Sequence, residues 1–226
     1  MNRPKICAVI VDRNPDIKKA EPLVDFYEVR IDLIGDGWQQ VVKGLNKPWL
    51  ACNRLVMEGG KCPRDNEGRI SLLLEAVDLG ASIIDIELST KSLSKVVPVI
   101  KKRAKCLISR HDLQKTPSLK TMKEIVRREL DAGADICKLV TTAVDATDNL
   151  TVLKLIKEFT LSLSNGFPQQ KIVACAMGPL GLTSRVLAPL VGGYFTYASI
   201  ARGGESAPGQ ITAAELRNIY GLLSHG

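Results

Sequence analysis

Aromatic residues are scarce: Phe, Trp and Tyr make up 4% of the 226 residues. Stacking platforms for single-stranded nucleic acid need several aromatic side chains, so that class of binding is not expected. The sequence has no run of ~20 apolar residues, which argues against a membrane-spanning helix. Histidine occurs twice, and the six cysteines (Cys7, Cys52, Cys62, Cys106, Cys137 and Cys175) contain no C-x-x-C pair. A zinc site is therefore not expected. The start, MNRPKICAVIV, is too short for a secretory apolar region with a cleavage site. A cytoplasmic location with reduced thiols is the expectation. Neither G-x-G-x-x-G nor a P-loop pattern is present, which weakens an open nucleotide-binding sheet.

What is there fits an α/β barrel. A length of 226 residues suits one barrel domain of the ~250-residue class, spanning 1–226 without a linker. Hydrophobic residues are 45% and charged residues 24%, enough for a sizeable core under an ordinary polar surface. The net charge is +7. Its densest clusters, Lys101-Lys102-Arg103 and Arg127-Arg128, lie in helix-like stretches and read as solvated faces. The basic balance otherwise suits an anionic small molecule.

Eight apolar runs recur along the chain: Ile6–Val11, Tyr27–Leu33, Leu50–Leu55, Ile83–Leu88, Cys106–Arg110, Ile136–Val140, Ile172–Ala176 and Tyr194–Ala198. Near-continuous apolar character is the mark of parallel strands covered on both faces. Helix signals separate them. Ile70 to Val77 runs into Gly80, Thr116-Pro117 pairs a cap with a first-turn proline, and Asp148 offers another cap. Thr212 and Glu215 have capping-box spacing. Eight alternating units predict a (β/α)8 TIM barrel, whose chemistry belongs at the C-terminal strand ends.

Charged residues gather at those ends. Glu28, Arg30 and Asp32 share one parity on the second run. Arg54 closes the third, Glu58 opens a glycine-rich loop, and Asp85 and Glu87 share parity on the fourth. A structural ion-pair network inside the barrel would read the same way. His111 ends the fifth run, and the other histidine, His225, sits two residues from the chain end. That leaves one imidazole for the folded body, positioned for acid–base work. Lys138 interrupts the apolar sixth run. A buried lysine needs a partner, so an ion pair with Glu28 or Asp85 is the plain alternative. The functional reading is an amine whose pKa burial lowers from ~10.4 toward neutrality, ready to attack a carbonyl. The loops after the seventh and eighth runs, Met177 to Arg185 and Arg202 to Gln210, read as connecting turns or, for the second, a lid.

Seven motifs in one order, E-V-R-I-D, R-x-x-x-E-G-G, I-D-I-E, S-x-H-D, the lysine strand, M-G-x-x-G-x-x-S-R and S-A-P-G-Q, resemble the type I 3-dehydroquinate dehydratase family from Lys5 to the last helix. The resemblance implies a hydro-lyase that needs no cofactor or metal. It places an imine-forming lysine at Lys138 and the catalytic histidine at His111, with Glu58 and Asp85 positioning or tuning that histidine. It places the carboxylate-binding arginine at Arg185, hydroxyl-holding residues at Glu28, Arg30 and Arg54, and closing-loop contacts at Ser206 and Gln210. It also implies a homodimer, and neither nucleic acid nor membrane as partner. Three departures stand out. The N-terminal extension of many bacterial members has no counterpart here, which bears on floor packing rather than chemistry. Val9 replaces a serine, and Tyr197 stands where a Phe is expected. A class I aldolase-type Schiff-base barrel and a non-enzymatic basic binding barrel are the competing readings.

Overall fold

Each apolar run becomes a strand, and all eight join one parallel sheet. The computed structural model describes residues 3–63, 67–160 and 170–224. The strands are β1 (Ile6–Ile10), β2 (Phe26–Arg30), β3 (Trp49–Cys52), β4 (Ile83–Glu87), β5 (Lys105–His111), β6 (Ile136–Thr142), β7 (Ile172–Met177) and β8 (Thr196–Ser199). Their order, β7-β6-β5-β4-β3-β2-β1-β8, is that of a nearly closed barrel. No ladder joins β7 to β8 among the described residues; the Tyr194 N–H donates to the Ile172 carbonyl across that seam at 2.8 Å.

Side-chain alternation sorts every strand into an outer and an inner face. Outward residues such as Ile84, Ile86, Cys137 and Leu139 pack under the helices. The helices begin with α1 (Ile17–Ala20), α2 (Ile31–Ile34) and α3 (Trp38–Lys43) and continue with α4 (Glu67–Asp78), α5 (Leu93–Ile100), α6 (Leu119–Asp131) and α7 (Asp148–Thr160). The inward residues form layers. The lower ones are apolar: Cys7, Phe26, Leu50, Ile83, Leu107, Ile136, Val173 and Phe195 make one cluster. Phe26 and Phe195 meet edge to face there at 4.8 Å, a preferred aromatic geometry. Above that cluster the inner face turns polar, with Glu28, Asp85, Ser109 and Lys138 all buried. The apolar floor fills the barrel, and the polar layer confines charge to its C-terminal mouth.

Several boundaries differ from the sequence reading. β2 stops at Arg30, and Asp32 lies in the short helix Ile31–Ile34. β3 stops at Cys52, so Arg54 lies past the strand. The cap of α6 is Ser118, whose side chain accepts from the Thr121 N–H, and not Thr116. Thr116 instead hydrogen-bonds the Thr141 hydroxyl and the Thr142 carbonyl, tying the loop back to β6. Asp148 begins α7 but accepts from the Val144 and Asp145 N–H groups, closing the turn before it. The capping box at helix Ala213–Ser224 forms in both directions: Glu215 N–H donates to Thr212 Oγ1, and Thr212 N–H to Glu215 Oε2. His225 lies outside the described residues.

Candidate active site

The barrel mouth holds a cavity of about 330 Å³ whose walls come from six of the strands and the loops above them. Every residue assigned to the site from sequence lines it except Asp85, which is buried directly behind Lys138. Lys138 projects inward from β6. Its Nζ donates to Asp85 Oδ2 at 2.8 Å, stands 3.6 Å from Glu28 Oε1, and lies 4.4 Å from the centre of the Tyr197 ring. Burial alone disfavours the ammonium, but Asp85 and Glu28 outweigh it and raise the lysine pKa above its ordinary value. The depressed amine expected from sequence is thus corrected: in the ligand-free site Lys138 is charged and ion-paired.

Asp85 is the centre of an alternating charge chain. It accepts from Lys138, from Arg54 at 2.6 Å and from the Ser109 hydroxyl at 2.6 Å. Burial works against its carboxylate, yet Arg54 and Lys138 hold its pKa well below the usual range. Arg54 also donates to Glu87 and to Ser109, and Glu87 in turn accepts from the buried Arg69 at 2.6 Å. Asp85 hydrogen-bonds the lysine, and reaches His111 only through longer-range attraction. It therefore holds Lys138 directly and acts on His111 through charge alone. Likewise, three donors of the Arg54 fork are taken by the protein, so Arg54 is first a brace for Asp85 and Glu87.

Among the described residues the His111 ring has one hydrogen-bond partner, Glu58. Glu58 Oε2 accepts both the His111 backbone N–H and lies 3.0 Å from its Nδ1. That contact assigns the Nδ1–H tautomer and turns Nε2 toward the cavity. Burial lowers the imidazole pKa well below its usual value, and the cations Arg54 and Lys138 add to the effect. The ring is neutral near pH 7, the form a base needs. Burial also raises the Glu58 pKa, against the opposing pull of Arg54 and Arg110.

The R-x-x-x-E-G-G turn explains how Arg54 and Glu58 reach one site. Cys62 N–H donates to the Arg54 carbonyl and Val56 N–H to the Cys62 carbonyl, folding the segment into a tight loop. Gly59 sits at φ 85°, a left-handed conformation, and a Cβ on Gly60 would stand 2.1 Å from the Arg54 carbonyl oxygen. Gly60→Ala is therefore expected to shift both Arg54 and Glu58, destabilising the protein by about 1–3 kcal/mol. Thermal denaturation with a parallel activity assay measures both effects.

Arg185 differs from the other cations. It is buried in the helix Leu182–Leu187, and among the described residues it has no ion-pair partner; its Nε has no hydrogen bond at all. Ser184 fixes that helix by accepting from the Ala176 N–H and donating to the Gly181 carbonyl. Arg30, by contrast, is bound bidentately by Asp32 at 2.9 and 2.7 Å, which uses two of its donors. Ser206 and Gln210 face the cavity from the loop after β8, where Gln210 Oε1 accepts from the Ser206 N–H. The Gly178 N–H donates to the Pro208 carbonyl, so this loop is latched to the one after β7.

Sequence reasoning noted Glu87 without a role and passed over Ser109 and Arg69. Ser109 and Glu87 share parity with His111 and Asp85, a signal present in the strands. Arg69 lies on α4 and gives no such signal.

The comparisons with known proteins agree with this geometry. The family model described as type I 3-dehydroquinase matches residues 7–226. A 3-dehydroquinate dehydratase from Dehalococcoides mccartyi is 43% identical over 228 residues, covering 100% of this chain and 98% of the relative. One from Methanosarcina mazei is 33% identical, covering 96% and 94%. The crystal structure of the type I 3-dehydroquinate dehydratase from Clostridium difficile, with covalently modified comenic acid, superposes with a TM-score of 0.83 at 28% identity, over 98% of this chain and 92% of that one. The enzyme from Geobacillus kaustophilus gives 0.82 at 26%, over 99% and 92%. A barrel whose mouth pairs a buried lysine with a neutral histidine and a free arginine, matched along its length by these relatives, belongs to the type I 3-dehydroquinase family.

Proposed function

We propose that the hydro-lyase reaction of this family member, 3-dehydroquinate to 3-dehydroshikimate plus water, runs through an imine on Lys138 with His111 moving the protons. The ketone by itself is a poor electron sink, and a protonated imine is a better one. The ammonium must first lose a proton, and the neutral His111 imidazole in the same cavity is the base available to take it. The free amine then adds to C3, and the protonated His111 returns its proton to the carbinolamine hydroxyl, which leaves as water to give the iminium and a neutral imidazole. His111 next removes a C2 proton; the electrons move through the enamine and expel the C1 hydroxyl, which leaves as water with that proton. Hydrolysis of the imine restores Lys138. Positioned acid–base groups contribute ~10²–10⁴-fold.

The observation that best supports this reading is the unmatched charge of Arg185. A buried guanidinium without a carboxylate of its own is a site for an anion, and a planar fork takes a carboxylate through two parallel bonds. With the substrate carboxylate there, the ring spans the cavity toward Lys138. Glu28, Arg30 and Arg54 line the cavity and are assigned to the ring hydroxyls. Ser206 and Gln210 contribute from the closing loop. Arg185→Lys is expected to raise KM by ~10–100-fold, since an ammonium cannot reproduce the paired bonds. An unchanged KM means that Arg185 has another task.

The same proposal covers residues 1–226 acting as one catalytic domain, in the cytoplasm, as a homodimer and without affinity for nucleic acid. One continuous sheet from Ile6 to Ser199 supports the first point. Among the described residues no helix is long and apolar enough to cross a membrane. Light scattering tests the dimer.

A further inference from the structure

Three potential metal ligands meet where the lysine is anchored. One ligand atom each from Glu28, Cys52 and Asp85 lies within 4.8 Å of the others, and all three residues are buried. Neighbouring strands bring them together: Cys52 pairs with Asp85 across β3 and β4, and Glu28 stands two residues before Arg30, the β2 partner of Cys52, on the same inner face. A second observation points to a ligand. Glu28 Oε1 is buried at a residue exposure of 3% and has no hydrogen-bond partner, although Lys138 Nζ stands 3.6 Å away. The lysine ammonium is the cation that now fills the space between the acids. Glu28, Cys52 and Lys138 all line the cavity, so a small ion has a path to them.

We propose that Glu28, Cys52 and Asp85, with the Lys138 amine as fourth ligand, form an inhibitory site for Zn²⁺ at the base of the substrate cavity. The donor set is one thiolate, two carboxylates and an amine, which suits a borderline-soft ion rather than Mg²⁺ or Ca²⁺. Tetrahedral bonds of ~2.0–2.3 Å require the donors to close up modestly from their present spacing. Charge balance favours the exchange. Zn²⁺ enters with two positive charges; one proton leaves the Cys52 thiol and one leaves the Lys138 ammonium. The site therefore carries the same net charge before and after, and Arg54 and Arg30 nearby meet no additional repulsion. The bound ion ties up the amine nitrogen, so it blocks imine formation instead of assisting the reaction.

The test uses the intact enzyme with ZnCl₂ alone. Zinc is expected to inhibit competitively with substrate, EDTA to reverse it, and Cys52→Ala to weaken it by at least the ~10–100-fold that loss of an outer-shell partner costs. Cys62→Ala, outside the cavity, should keep full sensitivity. A second readout needs no turnover and so does not depend on the imine assignment. Co²⁺ added to the unaltered enzyme should give a thiolate-to-cobalt charge-transfer band that disappears when zinc is added. A Cys52→Ala enzyme that stays equally sensitive to zinc overturns the proposal. So does a cobalt spectrum without a thiolate band, whether or not the variant folds.

Discussion

Lys138→Ala is expected to lower turnover by roughly 10⁴–10⁶-fold, the scale on which removing a covalent nucleophile acts, while the protein still folds. Among the described residues no other lysine lines the cavity, so none is placed to replace its amine. The fold survives because the layers beneath Lys138 are apolar and do not depend on it. Some stability is lost. Asp85 keeps Arg54 and Ser109 as partners, but Glu28 loses the one cation paired with it among the described residues. Breaking a wholly buried pair costs ~3–5 kcal/mol. Glu28 borders the cavity, where water reaches it, so a smaller loss is expected. Circular dichroism and a melting curve check the fold. Turnover within a hundredfold of the parent would rule out covalent catalysis by this residue.

His111→Ala should separate two steps that the intact enzyme runs together. The variant still holds Lys138 and Arg185, so substrate binds and some adduct forms, yet dehydration slows by ~10²–10⁴-fold. Adduct formation slows as well, because the imidazole is also the base proposed to free the amine. Glu58→Gln should have a smaller effect, since its carboxylate orients the ring without touching the substrate. The pH profile carries the same signature. His111 works as the neutral base, so kcat/KM falls when the ring gains a proton. Burial and the adjacent cations lower its pKa, which puts this acid limb below the ~6.5 of an ordinary histidine. The shift has a matching effect on stability. The unfolded chain binds a proton on His111 at a higher pH than the folded protein does. Its contribution therefore favours unfolding as pH drops through ~6.5, and levels off below the folded pKa. If His111→Ala retains turnover within a few-fold, the acid–base role passes to a carboxylate, with Glu58 nearest.

Much of this was legible in the sequence because strand periodicity is local. The apolar runs gave eight strands within a few residues of their ends, and Lys138 stood out as the one lysine in those runs. What could not be read was which charge meets which. Asp85 and Lys138 are 53 positions apart, and only the folded barrel shows the 2.8 Å contact between them. The direction of the lysine shift depends on that contact, so an argument from burial alone gave the wrong sign. Arg30 shows the same limit: parity put Asp32 on its strand, but the chain turns into a helix and Asp32 folds back to clasp it. Thr116 has the composition of a cap, and a bond to Thr141 claims its hydroxyl. Arg69 reaches Glu87 from a helix, where no strand rule applies.

The most direct test of the central claim is reductive trapping. Incubating the enzyme with 3-dehydroquinate and sodium borohydride, then mapping peptides by mass, locates the imine at a single side chain. The account predicts a ligand-sized mass increase confined to the peptide containing Lys138, with activity lost in proportion to labelling. Labelling at any other lysine, or inactivation without a trapped adduct, would contradict it.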